Sequence, residues 1–295
     1  MKFLIYGSKG WIGSQVVEIL EKQKLDFFKG KSRLDNFKDL ENEIKEIKPT
    51  HIMMFTGRTS GNIGKKNYNT IDYLEQKGKI YENVRDNMFS PLNVFILSQK
   101  YNIHTTYLGT GCIFTYDKDH PYGKEINGFK EDDKPNFFDS SYSVVKGFTD
   151  RISKQFENVL NVRIRMPITG DNNTKNFITK ITKYEKICSV PNSMTVLPEL
   201  LPVMIDMAKK NKTGTINLVN PGLISHNKIL EMYKEYIDND FKWNNFTYNE
   251  QMEILSAGRS NNYLSTEKLE KEYPEVKNIK DSIEEILKNM KLNYK

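Results

Sequence analysis

Short apolar runs alternate with amphipathic stretches along the first half of the chain. The apolar runs predict strands, and the first of them fits a strand that is buried on both faces of a sheet. The runs are Lys2–Tyr6, Leu25–Phe28, His51–Phe55, Thr105–Leu108 and Val159–Arg165. Between them, apolar residues recur at helical spacing, which predicts helices from Ile12, over Phe37–Ile47, over about Ile80–Lys100 and through Tyr142. This alternation predicts an α/β fold with a Rossmann-type, doubly wound parallel sheet.

The pattern changes after Pro167. Short strand-like runs such as Cys188–Val190 alternate there with helices such as Leu197–Lys209 and Asn227–Tyr236. We therefore expect a nucleotide-binding Rossmann domain over residues 1–167. Residues 168–295 should form mainly a smaller substrate lobe, with a segment near 215–220 returning to the main sheet. The polar loop Asp117–Asp139 is expected to cover a cleft.

Composition narrows the possible functions. The net charge of +6 is spread over the 295 residues, so a nucleic-acid partner is not expected. Two cysteines in a chain of this length favour a reducing compartment over a disulfide scaffold. No apolar run has the length of a membrane span or of a signal peptide, so we expect a cytoplasmic protein without a membrane partner. The four histidines lack metal-ligand spacing, and no metal is expected.

A glycine-rich loop follows the first predicted strand. Gly7, Gly10 and Gly13, with Trp11 and Ile12 between them, lie directly before a predicted amphipathic helix. Glycines in this context allow a tight turn and bring backbone N–H groups close to a pyrophosphate at a helix N-terminus. The loop therefore predicts dinucleotide binding.

The end of the second predicted strand bears on the choice of dinucleotide. An acidic residue there would bind the ribose hydroxyls of NAD and repel a 2′-phosphate. Asp26 falls at the start of the strand, whereas Lys31 and Arg33 follow its end and precede Asp35. These cations favour NADPH, and the alternative is an ordinary solvated loop. For Asp35, a contact with the adenine is a further alternative.

Tyr142 and Lys146 lie four residues apart, on one face of a predicted helix. A lysine ammonium beside a phenol is expected to lower the pKa of that phenol, which suits proton transfer near neutral pH. Polar pairs at this spacing are also common on solvated helix faces. The glycine loop and the strand ending at Thr110 favour the catalytic interpretation.

With these residues in place, the chain resembles the extended short-chain dehydrogenase/reductase superfamily. Within it, the chain is similar to the bifunctional UDP-4-keto-6-deoxyglucose 3,5-epimerase/4-reductases of UDP-rhamnose synthesis. The resemblance extends over nearly the whole chain and is carried by Gly10–Gly13, Thr110–Phe114, Arg165–Ile168, Asn176–Ile181, Pro191–Thr195 and Arg259–Asn262.

The resemblance implies roles for the reductase residues. Tyr142 would donate a proton, Lys146 would lower its pKa and hold the nicotinamide ribose, and Thr110 would bind the substrate carbonyl. Further residues would lie along the cofactor: Phe55, Thr56, Gly57, Asn87, Pro167 and Ile168.

The resemblance also implies an epimerase pair. A C4 ketone acidifies the protons at C3 and C5, and inverting each centre requires a proton to leave one face and return to the other. Cys112 would work with Lys180, and Lys175 lies nearby as an alternative. Outside this interpretation, Cys112 would be a small buried hydrophobe and Lys180 a surface lysine.

Three residues are implied near the uridine diphosphate: Asn176, Val190 and Arg259. Arginine suits a diphosphate because its planar fork makes bidentate contacts; a structural surface role is the alternative for Arg259. The implied reaction converts UDP-4-keto-6-deoxy-D-glucose to UDP-β-L-rhamnose with NADPH, and a homodimer is common in the superfamily. The alternatives are a dTDP- or GDP-sugar reductase without epimerase activity, or a non-catalytic NADPH-binding sensor.

Overall fold

A central parallel sheet organises the computed structural model, which describes residues 1–293. The strands are β1 (Lys2–Tyr6), β2 (Asp26–Lys29), β3 (His51–Met54), β4 (Gly61–Ile63), β5 (Lys66–Tyr68), β6 (His104–Thr110), β7 (Val159–Ile164), β8 (Pro167–Ile168), β9 (Lys186–Ile187), β10 (Thr195–Val196), β11 (Gly214–Asn217) and β12 (Asn244–Asn245). Six of them form the central sheet in the order β11-β7-β6-β3-β1-β2. Small two-stranded pairs, β4-β5, β8-β10 and β9-β12, lie outside it.

Helices cover both faces of the sheet. They are α1 (Trp11–Lys22), α2 (Phe37–Ile47), α3 (Ile80–Val84), α4 (Ser90–Lys100), α5 (Ser141–Ser153), α6 (Phe177–Ile181), α7 (Leu197–Lys209), α8 (His226–Tyr236), α9 (Tyr248–Ile254), α10 (Glu267–Glu272) and α11 (Ile279–Asn293). One apolar core joins α1 and α7 to one face of the sheet. A second core joins α2 and α4 to the other face. The prediction of a doubly wound α/β fold is confirmed.

A separate apolar core lies beyond the main sheet. It packs α6, α8 and α11 together through residues such as Ile178, Ile229 and Leu287. The second half of the chain also contributes to the main sheet: α7 packs in the first core, and β11 pairs in parallel with β7 at the edge of the sheet.

Two details differ from the sequence pattern. The predicted helix over 80–100 contains a π-helical segment at Arg85–Phe89, between α3 and α4. The prediction of a strand at Cys188–Val190 is wrong, because the short strand there is Lys186–Ile187 and the next three residues are irregular. A run of three apolar or small residues carries too little periodicity to separate a strand from a buried loop.

A buried ion pair fixes helix α5 against strand β7. Both carboxylate oxygens of Asp150 accept hydrogen bonds from Arg163, each at 2.8 Å, and both side chains are almost fully buried. Asn161 donates to the same carboxylate at 2.8 Å. Removing one partner of such a pair leaves an uncompensated buried charge and costs about 3–5 kcal/mol. The pair therefore fixes the position of α5, which carries Tyr142 and Lys146, relative to β7.

Candidate active site

The glycine loop forms a close-packed turn between β1 and α1. Gly7 has a φ of +79°, and a Cβ there would lie 2.8 Å from the carbonyl carbon of Phe55. A Cβ on Gly13 would lie 2.2 Å from the Gly7 carbonyl oxygen. The glycines are thus required for the approach of α1 to β1 and β3. Gly10 is the N-cap of α1 and makes no side-chain cap, so the first N–H groups of that helix remain for a phosphate.

The loop after β2 carries the two predicted cations. Lys31 and Arg33 are exposed, and Arg33 pairs with Asp35 through bonds of 2.9 and 3.0 Å. Glu43, from α2, accepts the backbone N–H groups of Lys31 (2.7 Å) and Ser32 (3.0 Å) and so fixes the loop. This loop fits a cofactor that carries a 2′-phosphate, since both cations lie beyond the carboxyl end of β2.

A cleft of about 420 Å³ opens at the carboxyl ends of the sheet strands. Parallel α/β sheets bind ligands at this edge. Residues from the glycine loop, from β6, from α5 and from the second part of the chain contribute to its wall. The predicted site residues that line it are Gly10, Trp11, Ile12, Phe55, Thr56, Gly57, Asn87, Thr110, Cys112, Tyr142, Lys146, Pro167, Lys180 and Arg259, together with the alternative Lys175.

The start of α5 is tied to the strand end that carries Cys112. Ser140 caps the helix by accepting the Ser143 N–H at 3.1 Å. Ser143 in turn donates its hydroxyl to the Cys112 carbonyl at 2.7 Å. The Cys112 N–H donates to the Thr110 hydroxyl at 3.0 Å. These bonds hold Tyr142, Thr110 and Cys112 in one corner of the cleft.

Lys146 lies on the next turn of α5 and is buried. Its ammonium donates to the Tyr107 hydroxyl and lies 3.4 Å from the Leu108 carbonyl, with Nζ 4.4 Å from the centre of the Tyr107 ring. Burial lowers the pKa of Lys146 to about 7, while the carboxylate of Asp150 acts in the opposite direction. The amine is therefore poised to exchange a proton near neutral pH.

The pKa of Tyr142 differs from the expectation. Burial raises it above its usual value, the electrostatic effect of Cys112 adds to the rise, and a hydrogen bond with the Thr110 side chain opposes it. Lys146 makes no contribution to this shift; its amine donates to Tyr107, and burial disfavours its charged form. Tyr142 thus keeps its proton at neutral pH, the form that a proton donor needs.

The opposite wall carries three cationic side chains. Lys180 comes from α6, Lys175 precedes that helix, and Arg259 comes from the loop after α9. Burial lowers the pKa of Lys180, and the charges of Lys175 and Arg259 lower it further. A lysine shifted in this direction carries more of the neutral amine near pH 7 and is suited to remove a proton.

Other predicted residues lie outside the cleft wall. Gly7 and Gly13 are packed against Phe55 and against each other within the glycine loop, and Lys31 and Arg33 lie on the exposed loop after β2. Ile168 and Val190 are buried. Asn176 is fully buried and caps α6 by accepting the Ile178 N–H at 3.3 Å. In this arrangement Asn176 shapes the backbone before Lys180 instead of facing the cleft.

Sequence reasoning missed one segment that lines the cleft. The segment 58–79, which we call the strap, runs between β3 and α3 and contains the β4-β5 hairpin. Its polar sequence gave no periodic signal. Asn87 anchors its start by accepting the Arg58 N–H and donating to the Arg58 carbonyl, each at 2.8 Å. The strap residues that line the cleft are Thr59, Ser60, Asn69, Thr70 and Ile71, and Tyr184 from the second part of the chain was missed as well.

Two further features were sought among the described residues, a metal cluster and a membrane span. Within residues 1–293, no group of three or more His, Cys, Asp or Glu side chains could hold a metal ion. Over the same range, none of the helices combines the length and apolarity needed to cross a membrane.

Comparison with known proteins assigns the site to a family. A crystal structure of the L780 UDP-rhamnose synthase from Acanthamoeba polyphaga mimivirus superposes with a TM-score of 0.93 at 52% identity, covering 98% of this chain and 99% of that one. The bifunctional dTDP-4-dehydrorhamnose 3,5-epimerase/dTDP-4-dehydrorhamnose reductase of Arabidopsis thaliana is 44% identical, over 95% of this chain and 90% of its own length. No family model matches the chain.

A longer plant protein matches in part. The chain is 46% identical to a trifunctional UDP-glucose 4,6-dehydratase/UDP-4-keto-6-deoxy-D-glucose 3,5-epimerase/UDP-4-keto-L-rhamnose-reductase of Arabidopsis thaliana. The match covers 96% of this chain but only 41% of that protein. The fold and the site together define a Rossmann-type reductase of the extended short-chain dehydrogenase/reductase superfamily. Within it, the chain belongs to the nucleotide-sugar 3,5-epimerase/4-reductase family that includes the L780 UDP-rhamnose synthase, and the predicted resemblance is confirmed.

Proposed function

We propose that the protein converts UDP-4-keto-6-deoxy-D-glucose to UDP-β-L-rhamnose by 3,5-epimerisation followed by NADPH-dependent reduction at C4. The observation that carries this proposal is the convergence of Tyr142, Lys146 and Thr110 with Cys112 and Lys180 on one cleft. The proposal assigns cofactor binding to residues 1–167 and sugar-nucleotide binding mainly to residues 168–295. It places the reaction in the cytoplasm, a reducing compartment that suits the two free thiols, Cys112 and Cys188.

The reductive half uses the sheet side of the cleft. NADPH supplies the hydride for C4 when it is bound. The glycine loop would hold its pyrophosphate, and Lys31 and Arg33 would receive the 2′-phosphate. Tyr142, protonated at neutral pH, would give its proton to the C4 oxygen as the alkoxide forms, and Thr110 would hold the same oxygen. Lys146 would hold the nicotinamide ribose and help to return a proton to Tyr142.

The epimerising half precedes reduction and uses the thiol and the opposite wall. A base removes the proton at C3, the electron pair passes into the C4 carbonyl as an enolate, and an acid returns a proton to the other face. The same sequence at C5 completes the inversion. Cys112 and Lys180 would exchange these roles on opposite faces of the sugar. Lys175 is exposed and is the weaker candidate, because burial shifts Lys180 toward the neutral amine.

Product analysis with three substrates tests the proposal. The UDP-, dTDP- and GDP-4-keto-6-deoxy sugars are each incubated with NADPH, and the products are identified by NMR. We expect UDP-β-L-rhamnose from the UDP-sugar. Reduction without inversion at C3 and C5, or a preference for another nucleotide, would support the alternative of a simple reductase. Absence of NADPH oxidation with all three sugars would contradict the proposal and support the alternative of a non-catalytic NADPH-binding sensor.

We also propose a homodimer. Helices α4 and α5 pack side by side on one face of the sheet, and this face exposes the large apolar side chains of Phe89, Ile96 and Phe148. Exposed apolar side chains on adjacent helices indicate an interaction surface when they form one patch. Light scattering after gel filtration should give twice the chain mass. A charge at Phe148 (Phe148→Glu) should shift the protein to the monomer, and a wild-type monomer would refute the dimer.

A further inference from the structure

The strap connects the two walls of the cleft through one carboxylate. Asp72 lies in the single 3-10 turn of the strap, Ile71–Tyr73. One of its oxygens accepts the Ala257 N–H at 2.9 Å, and the other accepts the Arg259 guanidinium at 2.5 Å. The Thr70 hydroxyl donates to that second oxygen at 2.5 Å. Asp72 therefore receives three donors, two of which come from a loop that lies about 185 residues further along the chain.

The other end of the strap is bonded to the catalytic helix. The Glu75 carboxylate accepts the backbone N–H of Ser141, the first residue of α5, at 2.7 Å. The Ser141 hydroxyl lies 3.3 Å from the Leu74 carbonyl, to which it donates. The strap thus fixes the position of the Arg259 loop relative to α5, the helix that carries Tyr142.

The bonds of Arg259 leave donors for a ligand. One terminal nitrogen donates to Asp72 and the other to the Ala257 carbonyl at 2.7 Å. A guanidinium has five N–H groups, so about three remain. Arg259 lines the cleft beside Lys175 and Lys180. A dianionic group bound there would contact a guanidinium whose orientation is already fixed. A preset orientation reduces the entropy lost on binding.

We propose that Asp72 is a positioning residue for sugar-nucleotide binding, whose carboxylate fixes the Arg259 guanidinium and the Ala257–Arg259 loop to receive the diphosphate. This inference rests on the proposed role of Arg259 as the diphosphate ligand. A releasable latch is the opposite possibility, in which the diphosphate displaces Asp72. The three donors on Asp72 favour a lasting support, because displacement would leave Thr70 and Ala257 without their acceptor.

Nucleotide affinity and kinetics test the inference. Asp72→Asn keeps the shape but removes the charge, and it cannot accept from all three donors. Calorimetry with UDP should show about 10-fold weaker binding, as expected for loss of a charge-assisted hydrogen bond. The KM for the keto sugar nucleotide should rise by a similar factor, with kcat and the KM for NADPH nearly unchanged. Asp72→Glu, which keeps the charge, should restore part of the affinity.

Glu82→Gln is the matched control. Glu82 lies in α3, just after the strap, and pairs with Lys79 at 2.6 Å without a contact to Arg259 among the described ion pairs. This variant loses a charge in the same region, and we expect wild-type UDP affinity. Equal weakening in both variants would indicate a general effect on the strap and would overturn the proposal.

A double-mutant cycle separates this inference from the proposed function. Arg259→Met should weaken UDP binding, and Asp72→Asn should add little to it, since the two side chains act as a unit. If Arg259→Met binds UDP normally, the diphosphate role of Arg259 fails and the inference fails with it. If Arg259→Met weakens binding while Asp72→Asn does not, or tightens it, only the positioning role is overturned.

Discussion

The two walls of the cleft are built in different ways. The wall with Tyr142, Lys146 and Thr110 rests on the main sheet and on α5, which the buried Asp150–Arg163 pair fixes. The wall with Lys180 and Arg259 rests on the five-residue helix α6 and on an irregular loop. In the first wall, helices and strands set the positions of the side chains. In the second wall, side-chain helix caps and the strap set these positions.

This contrast suggests a division of the chemistry. Reduction needs a hydride and a proton delivered to one carbonyl, so a rigid wall beside the cofactor suits it. Epimerisation has to reach C3 and then C5 from opposite faces, and a wall of long lysine and arginine side chains can serve more than one atom. Cys112 lines the cleft as part of the sheet-based wall, since its backbone is bonded to Thr110 and Ser143.

The largest effect is expected from a substitution that changes only the wall with Lys180 and Arg259. Lys180→Met should lower the rate of C3 and C5 exchange by about 10²- to 10⁴-fold, the usual contribution of one acid–base group. Reduction of UDP-4-keto-L-rhamnose, which is already inverted at both carbons, should continue. Solvent-deuterium incorporation followed by NMR measures the first rate, and NADPH absorbance measures the second.

Lys175→Met serves as the control for lost positive charge on the same wall. We expect it to keep the exchange rate within a few-fold of wild type. The opposite ranking of the two variants would assign the epimerase role to Lys175, the alternative that the sequence left open.

The sheet-based wall could be predicted from the sequence because its signals are local. Buried strands, a glycine turn and a Tyr/Lys pair at helical spacing each leave a pattern in a short window. The glycine positions in particular are forced by sterics, as the contacts at Gly7 and Gly13 show. The direction of the Tyr142 pKa shift was not predictable in this way, because it depends on burial and on Cys112 and Thr110, which lie about 30 residues earlier in the chain.

The second wall required three-dimensional contacts. Arg259 and Asp72 are 187 residues apart in sequence, and neither lies in a periodic segment. The resemblance supplied Arg259 and Lys180, but it did not supply the strap. Asn176 shows the limit of a motif, since the resemblance implied a place near the uridine diphosphate while the side chain is used inside the protein as a helix cap.

A smaller effect is expected at the far end of the first wall. Arg33→Ala or Lys31→Ala should raise the KM for NADPH by about 10- to 100-fold, as expected for a lost charge-assisted contact to phosphate. The KM for NADH, which has no 2′-phosphate, should stay nearly constant. Lys22→Ala, at the end of α1, is the control. Equal changes for both cofactors would place the 2′-phosphate elsewhere.

The smallest effect concerns the stability of the protein without cofactor. The pKa of Lys146 is about 7 in the folded protein, against an ordinary value of 10.5 for a lysine. Between these values the unfolded chain holds a proton that the folded chain lacks, so raising the pH stabilises the fold. Urea unfolding from pH 7 to pH 10 should show wild type gaining stability relative to Lys146→Met. Parallel curves would contradict the burial of a neutral amine.

The central claim is that one cleft performs two separable reactions, and the Tyr142→Phe variant tests it most directly. Incubation with UDP-4-keto-6-deoxyglucose, NADPH and deuterated water allows exchange at C3 and C5 and NADPH oxidation to be followed in one sample. We predict exchange close to the wild-type rate with NADPH oxidation lowered by about 10²-fold or more. Loss of both reactions to the same extent, in a variant that still binds NADPH and UDP, would contradict the account.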